Sequence, residues 1–168
     1  MRTSIWLTLL SVALIAVAAP AQAATSEIVA FSGFAPGTIV VKTSERRLYF
    51  VIDPDRALRF PVGVGRAGKT WTGKAAVEGK FVAPAWSPPR EIKRDHPNLP
   101  DVIPGGAANN PMGAAALTLR GGEYAIHGTN RPASIGGFVS YGCIRMFNRD
   151  IRALYRLVDV GTPVVVER

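Results

Sequence analysis

The sequence predicts a mainly β domain with one or two short helices. Three observations carry that expectation. Short runs rich in Val, Ile, Tyr and Phe are each bounded by turn residues. Leu58, Phe60, Val62 and Val64 alternate in period two, as one face of a strand does. One clear segment, beginning near Asn148, spaces apolar residues as a helix does.

The elements follow in order. The chain has 168 residues, enough for one domain with a real core. Residues 1–23 are expected to be a secretory signal. Arg2 supplies a short positive region, and Ile5 to Ala18 is apolar but short for a membrane span. Ala21-Gln22-Ala23 has the small-residue spacing of a cleavage site. An uncleaved anchor is the alternative. Residues 24–36 read as a flexible arm and 37–168 as the folded domain. Thr38–Lys42 and Arg47–Ile52 form a hairpin around Thr43 to Arg46. Asp53 to Arg56 is a second turn, and Ala57–Val64 a third strand in which Pro61 marks an edge or irregular position. The glycine-rich loop from Gly65 to Gly73 lacks P-loop spacing. Lys74–Pro84 reads as a strand.

Ala85 to Gly113 is a long irregular stretch with six prolines, and a loop of that length suits a lid or cleft wall. His96, within it, reads as a solvated loop residue. Ala115–Leu119 and Glu123–His127 are strands around Arg120-Gly121-Gly122. Asn148 is placed to cap a helix whose apolar face is Ile151, Leu154, Tyr155 and Val158. Arg149, Arg152 and Arg156 fall on its solvated side. Gly161 ends that helix, and Pro163–Glu167 is the last strand.

The net charge is +8, or +7 once Arg2 is removed. A basic exported protein is drawn to anionic envelope polymers. Basic residues do not interleave with aromatic ones in the manner that stacks nucleobases, so nucleic acid is not an expected partner. The single cysteine, Cys143, excludes an intramolecular disulfide. It is a buried hydrophobe, an intermolecular partner or a reactive group.

The surroundings of Cys143 favour reactivity. Tyr124 to Met146 holds the only cysteine and one of two histidines, His127, sixteen positions upstream. A thiol attacks an acyl group as thiolate, so a base must take its proton or a cation must lower its pKa. His127 is the candidate base, and as imidazolium it would depress the thiol's pKa below 7. Arg145 adds fixed positive charge for an oxyanion or a substrate carboxylate. Gly142 would leave backbone N–H groups near the sulfur open as oxyanion donors. One cysteine and two histidines are too few for a closed zinc site, so neither metal nor cofactor is expected.

His127-Gly128-Thr129-Asn130 followed by Ser140-Tyr141-Gly142-Cys143-Ile144-Arg145 resembles the motif of the L,D-transpeptidase catalytic domain family. The resemblance extends over Leu48-Tyr49-Phe50, Phe60 to Gly65, Pro84 to Pro89 and Asn110 to Gly113, covering about Gly37 to Glu167. It implies a β-sandwich with a long cleft-side loop. It implies a peptidoglycan enzyme in the periplasm or cell envelope, acting as a monomer on stem peptides. Cys143 would attack the L-centre carbonyl of diaminopimelate in a tetrapeptide, release D-Ala, and hold a thioester. An amine would resolve the thioester into a 3→3 cross-link. His127 would be base and acid, oriented by the Gly128 carbonyl. Ser140, Gly142 and Arg145 would shape the oxyanion and substrate site. Carbapenems would acylate the same thiol. Two departures stand out: Tyr141 where many members carry His, and Trp71 where many carry Pro. The acceptor stays open between a stem-peptide amine, water and an envelope protein. A non-catalytic wall-binding module is the rival from another class.

Overall fold

The computed structural model describes residues 26–122 and 124–168. The expected signal, residues 1–23, lies outside them. The secondary structure is β1 (Glu27–Ala30), β2 (Ile39–Lys42), β3 (Arg47–Asp53), β4 (Arg56–Pro61), β5 (Val64–Gly65), β6 (Gly73–Val82), α1 (Arg90–Asp95), β7 (Ala115–Leu119), β8 (Ala125–His127), β9 (Phe138–Ser140), β10 (Ile144–Arg145), α2 (Asn148–Leu157) and β11 (Pro163–Glu167). A short 3-10 turn spans Pro132–Ser134.

Nine strands hydrogen-bond in the order β1-β4-β3-β2-β11-β6-β7-β8-β10. β6 serves both halves. Its first residues pair with β11 and its last with β7, and the register shifts between Val77 and Gly79. A strand that changes sheets at a bulge is how the corner of a β-sandwich forms. Ile39, Val41, Leu48 and Phe60 from one half meet Leu117, Leu119 and Ile126 from the other, with Ile151 and Leu154 of α2 in the same cluster. All are at most 2 % exposed. Removing the side chain of any one of them would cost about 2–5 kcal/mol, so this core fixes the platform from which the motif projects.

Several expectations are corrected. The arm at 24–36 contains β1, paired antiparallel with β4. Phe31 stacks on Tyr49 at 4.3 Å between ring centroids, covering the outer face of the first sheet. The third strand ends at Pro61, whose ring supplies no N–H, and the chain re-enters a two-strand pairing at Val64. The long stretch from Ala85 to Gly113 contains α1. It is gathered by Asn110, which is 2 % exposed. The Asn110 amide donates to the carbonyls of Pro84 and Pro104, each at 2.9 Å, and its oxygen accepts from Met112 N–H at 2.8 Å. Asn148 does not cap α2; it is the first helical residue, and its side chain reaches elsewhere.

Candidate active site

His127 ends β8, between β7 and β10. Its register partners are Ala116, antiparallel, and Arg145, parallel. Met146 N–H donates to the His127 carbonyl at 2.8 Å. These pairings collapse the sixteen-residue gap. The chain leaves β8, passes the 3-10 turn, pairs β9 beside β5, and returns through a tight turn into β10. His127, Ser140, Tyr141, Cys143 and Arg145 line one cavity of about 360 Å³, walled by Trp86 and other residues of the long loop.

His127 is 4 % exposed. Its Nδ1 lies 2.7 Å from the Gly128 carbonyl oxygen. A carbonyl only accepts, so that contact places the proton on Nδ1 and the lone pair on Nε2. Burial, and then the charge of Arg145, hold the imidazole's pKa down at about 4 against the pull of the Gly128 and Pro111 carbonyls. The Cys143 thiol is pushed up by burial, opposed by a backbone hydrogen bond from Ala125 and by Arg145. The expected imidazolium that depresses the thiol's pKa is therefore corrected. The cavity penalises either charge, and the resting pair is neutral thiol and neutral imidazole.

The nucleophile turn is held from three sides. The Ser140 hydroxyl donates to the Cys143 carbonyl at 2.6 Å, and Gly142 N–H donates to Ser140 Oγ at 3.1 Å. Gly142 has φ +126°, and a Cβ there would lie 2.2 Å from the Tyr124 ring. Trp71 stacks on that ring at 5.1 Å and donates from Nε1 to the Gly142 carbonyl at 3.0 Å. Ser140 and Gly142, expected at the oxyanion, thus spend their donors inside the turn. Of that expected trio, Arg145 remains as a cation lining the cavity.

Two further anchors escaped the sequence reading. Asn148 Oδ1 accepts from Ala114 N–H and Thr129 N–H, and its Nδ2 donates to the Thr129 carbonyl, each at 3.0 Å. It clamps the backbone that carries the Gly128 carbonyl, and a Cβ on Gly113 or Gly128 would sit 2.2 Å from Oδ1. Its position five residues past Cys143 was the signal, hidden by a good capping rationale. Tyr141 donates to Asp95 Oδ2 at 2.7 Å and lies under the Arg66 guanidinium at 3.9 Å. Arg66 pairs with Asp95 at 3.2 Å, and Lys69 with Glu91. Together these tie α1 over the cavity. His96 follows α1, is exposed, and lines an adjoining pocket rather than the thiol cavity.

Asn148→Ala is expected to lower unfolding stability by about 2–4 kcal/mol, because three backbone groups lose their partner at once. Chemical denaturation checks this. A loss below about 0.5 kcal/mol would mean that the clamp is dispensable.

Comparison with known proteins supplies the family. The family model described as the L,D-transpeptidase catalytic domain matches residues 36–166. The Escherichia coli K12 protein named "Probable L,D-transpeptidase YbiS" is 41% identical over 135 residues, covering 75% of this chain and 43% of its own length. The chain therefore spans less than half of that curated relative. A Brucella melitensis structure, described as a probable carnitine operon oxidoreductase, is 35% identical, covering 85% of this chain and 93% of its own, with a TM-score of 0.57. That description is said of the Brucella protein. An L,D-transpeptidase from Mycobacterium smegmatis shares the fold at a TM-score of 0.62 and 19% identity, covering 78% of this chain and 58% of its own. With the family model matching across nearly the whole described region, the chain belongs to the L,D-transpeptidase catalytic domain family.

Proposed function

We propose that this domain is a peptidoglycan L,D-transpeptidase with Cys143 as nucleophile and His127 as base and acid. The observation that carries the reading is the shared cavity of the thiol and an imidazole whose Nδ1 proton is engaged by the Gly128 carbonyl. Nε2 takes the Sγ proton as sulfur attacks the L-centre carbonyl of diaminopimelate in a tetrapeptide stem. The tetrahedral oxyanion develops near the Arg145 guanidinium. Its collapse breaks the bond to D-Ala, whose amine leaves with the proton from Nε2. An acceptor amine then attacks the thioester, gives its proton to Nε2, and Cys143 leaves as thiol. The product is a 3→3 cross-link.

Burial serves this scheme. A neutral imidazole at neutral pH is ready to accept a proton, and a cavity that disfavours a resting thiolate protects the sulfur from idle reaction. The catalytically silent wall-binding reading does not account for a histidine held in the base tautomer beside the chain's only thiol. Residues 1–23 would direct export, so that the domain works as a monomer in the periplasm or cell envelope.

Incubation with purified tetrapeptide muropeptides, read by mass, is expected to give cross-linked dimers and free D-Ala. Tripeptides alone would assign water as acceptor, and transfer to an added protein amine would assign envelope-protein attachment. No product of any kind would remove the enzymatic reading. In cells, a chain lacking residues 1–23 is expected to stay in the cytoplasm, and its appearance in the periplasm would remove the export assignment.

A further inference from the structure

Beside the thiol cavity lies a second pocket of about 200 Å³ that shares Arg145 and Tyr141 with it and adds Arg131, Asn130, Asn109 and His96. Among the described residues, no Asp or Glu lines this pocket. Among the described residues, neither Arg131 nor Arg145 has a carboxylate ion-pair partner, whereas Arg66 pairs with Asp95 and Arg59 with Glu27. Arg145 is half-buried and Arg131 exposed. Burial first, and more weakly the charge of Arg131, hold the Arg145 guanidinium below its ordinary range, opposed by Cys143; both arginines line the one pocket. An unrelieved pair of arginines in a concave, amide-lined pocket is what a carboxylate relieves, because guanidinium groups offer paired donors to its two oxygens.

We propose that Arg131 and Arg145 form a subsite for a free carboxylate of the stem peptide, and that this subsite makes the protein discriminate the acid from its carboxamide. The proposal rests on the peptidoglycan reading above and names the chemistry which that reading leaves open. The carboxylate sits beside the reacting carbonyl rather than on it, since Arg145 belongs to both pockets. Arg131 stands on the loop just after His127-Gly128-Thr129-Asn130, so the same segment that positions the base also carries the recognition charge. Asn130 and Asn109 supply neutral donors at the rim and no competing negative charge.

The test uses the purified protein and stem tetrapeptides in which each carboxylate is converted to carboxamide, one at a time. One arm amidates the donor and another the acceptor, which separates the two sources of the group. Wild-type protein is expected to show a KM about tenfold higher for one amidated peptide than for its acid, the scale of a charge-assisted hydrogen bond. Arg131→Gln is expected to raise KM for the acid to that of the amide, with kcat changed far less. Arg131→Lys, which keeps the charge without the fork, should recover part of the preference. Equal use of every acid and amide by the wild type, or a KM rise in Arg131→Gln that is the same for both, would overturn the subsite. Turnover with no acid preference sinks the subsite and spares the transpeptidase reading. Acid-selective binding to Cys143→Ala, measured by calorimetry, together with no turnover by the wild type, does the reverse.

Discussion

Cys143→Ala is expected to lower turnover of tetrapeptide stems by about 10⁴-fold or more, and to abolish the mass increment left by a carbapenem. Covalent catalysis leaves no partial route when the nucleophile is removed, and losses on that scale accompany removal of a catalytic nucleophile elsewhere. The fold should survive. Cys143 is partly exposed at the cavity, and the turn around it is held by Ser140, Trp71 and the Tyr124 ring. The variant should therefore denature within about 1 kcal/mol of wild type, the scale of a minor side-chain change away from the core. Cys143→Ser sharpens the test. A hydroxyl holds its proton far more tightly than a thiol, and an imidazole with a pKa of about 4 is too weak a base to remove it. The serine variant should be nearly as inactive as the alanine one. Intact-protein mass after carbapenem treatment and muropeptide turnover read both variants. Residual turnover above about one per cent, or a carbapenem adduct on either, would move the nucleophile away from Cys143.

What the sequence made legible divides along physical lines. Strands with alternating or continuous Val, Ile and Phe were readable because their pattern is local, as in β2, β3 and β11. Strands of two or three residues, such as β5, β9 and β10, were not. They exist because distant segments hydrogen-bond, and no local window records that. The six residues of α1 lie in a proline-rich stretch and bury none of their side chains, so they leave no amphipathic trace. At the site, His127, Cys143 and Arg145 were visible as a spaced triplet. Their roles shifted where burial decided the chemistry: the imidazole is neutral, and Ser140 and Gly142 brace the turn. Asn148 was misread for a physical reason. An asparagine ahead of an amphipathic run is a good cap by propensity. Here Gly113 and Gly128 let the side chain approach so closely that it satisfies Ala114 N–H and the N–H and carbonyl of Thr129 instead. Trp71, a departure from the family pattern, props the nucleophile turn through the Gly142 carbonyl, which no sequence rule would assign.

The pH dependence of kcat/KM is expected to show an acid limb near pH 4 rather than near 6.5. The sign follows from burial. His127 must accept a proton, so it works only while neutral, and its pKa of about 4 keeps it neutral through mild acid. The thiol is pushed above its ordinary range, so its reactivity toward iodoacetamide should keep rising past about pH 9 without a plateau at neutral pH. A resting thiolate–imidazolium pair gives the opposite pattern: a plateau of alkylation at neutral pH that ends where the thiolate is protonated. The same burial has a thermodynamic counterpart. Between about pH 6.5 and pH 4 the unfolded chain binds a proton at this histidine and the native protein does not. Stability therefore falls with falling pH across that window, by about 3 kcal/mol in total, and the loss stops below pH 4. His127→Gln removes the titration while keeping a donor within reach of the Gly128 carbonyl. Its activity should drop at least about 100-fold, the contribution of a positioned general base. Its stability should fall less between pH 7 and pH 4 than that of wild type, by the same 3 kcal/mol. Paired urea denaturation of the two proteins at both pH values isolates the histidine from every other carboxylate that titrates there. An acid limb near 6.5, or identical pH slopes in the two proteins, would mean that burial does not depress the titration of His127, and the account of a desolvated neutral base would have to be abandoned.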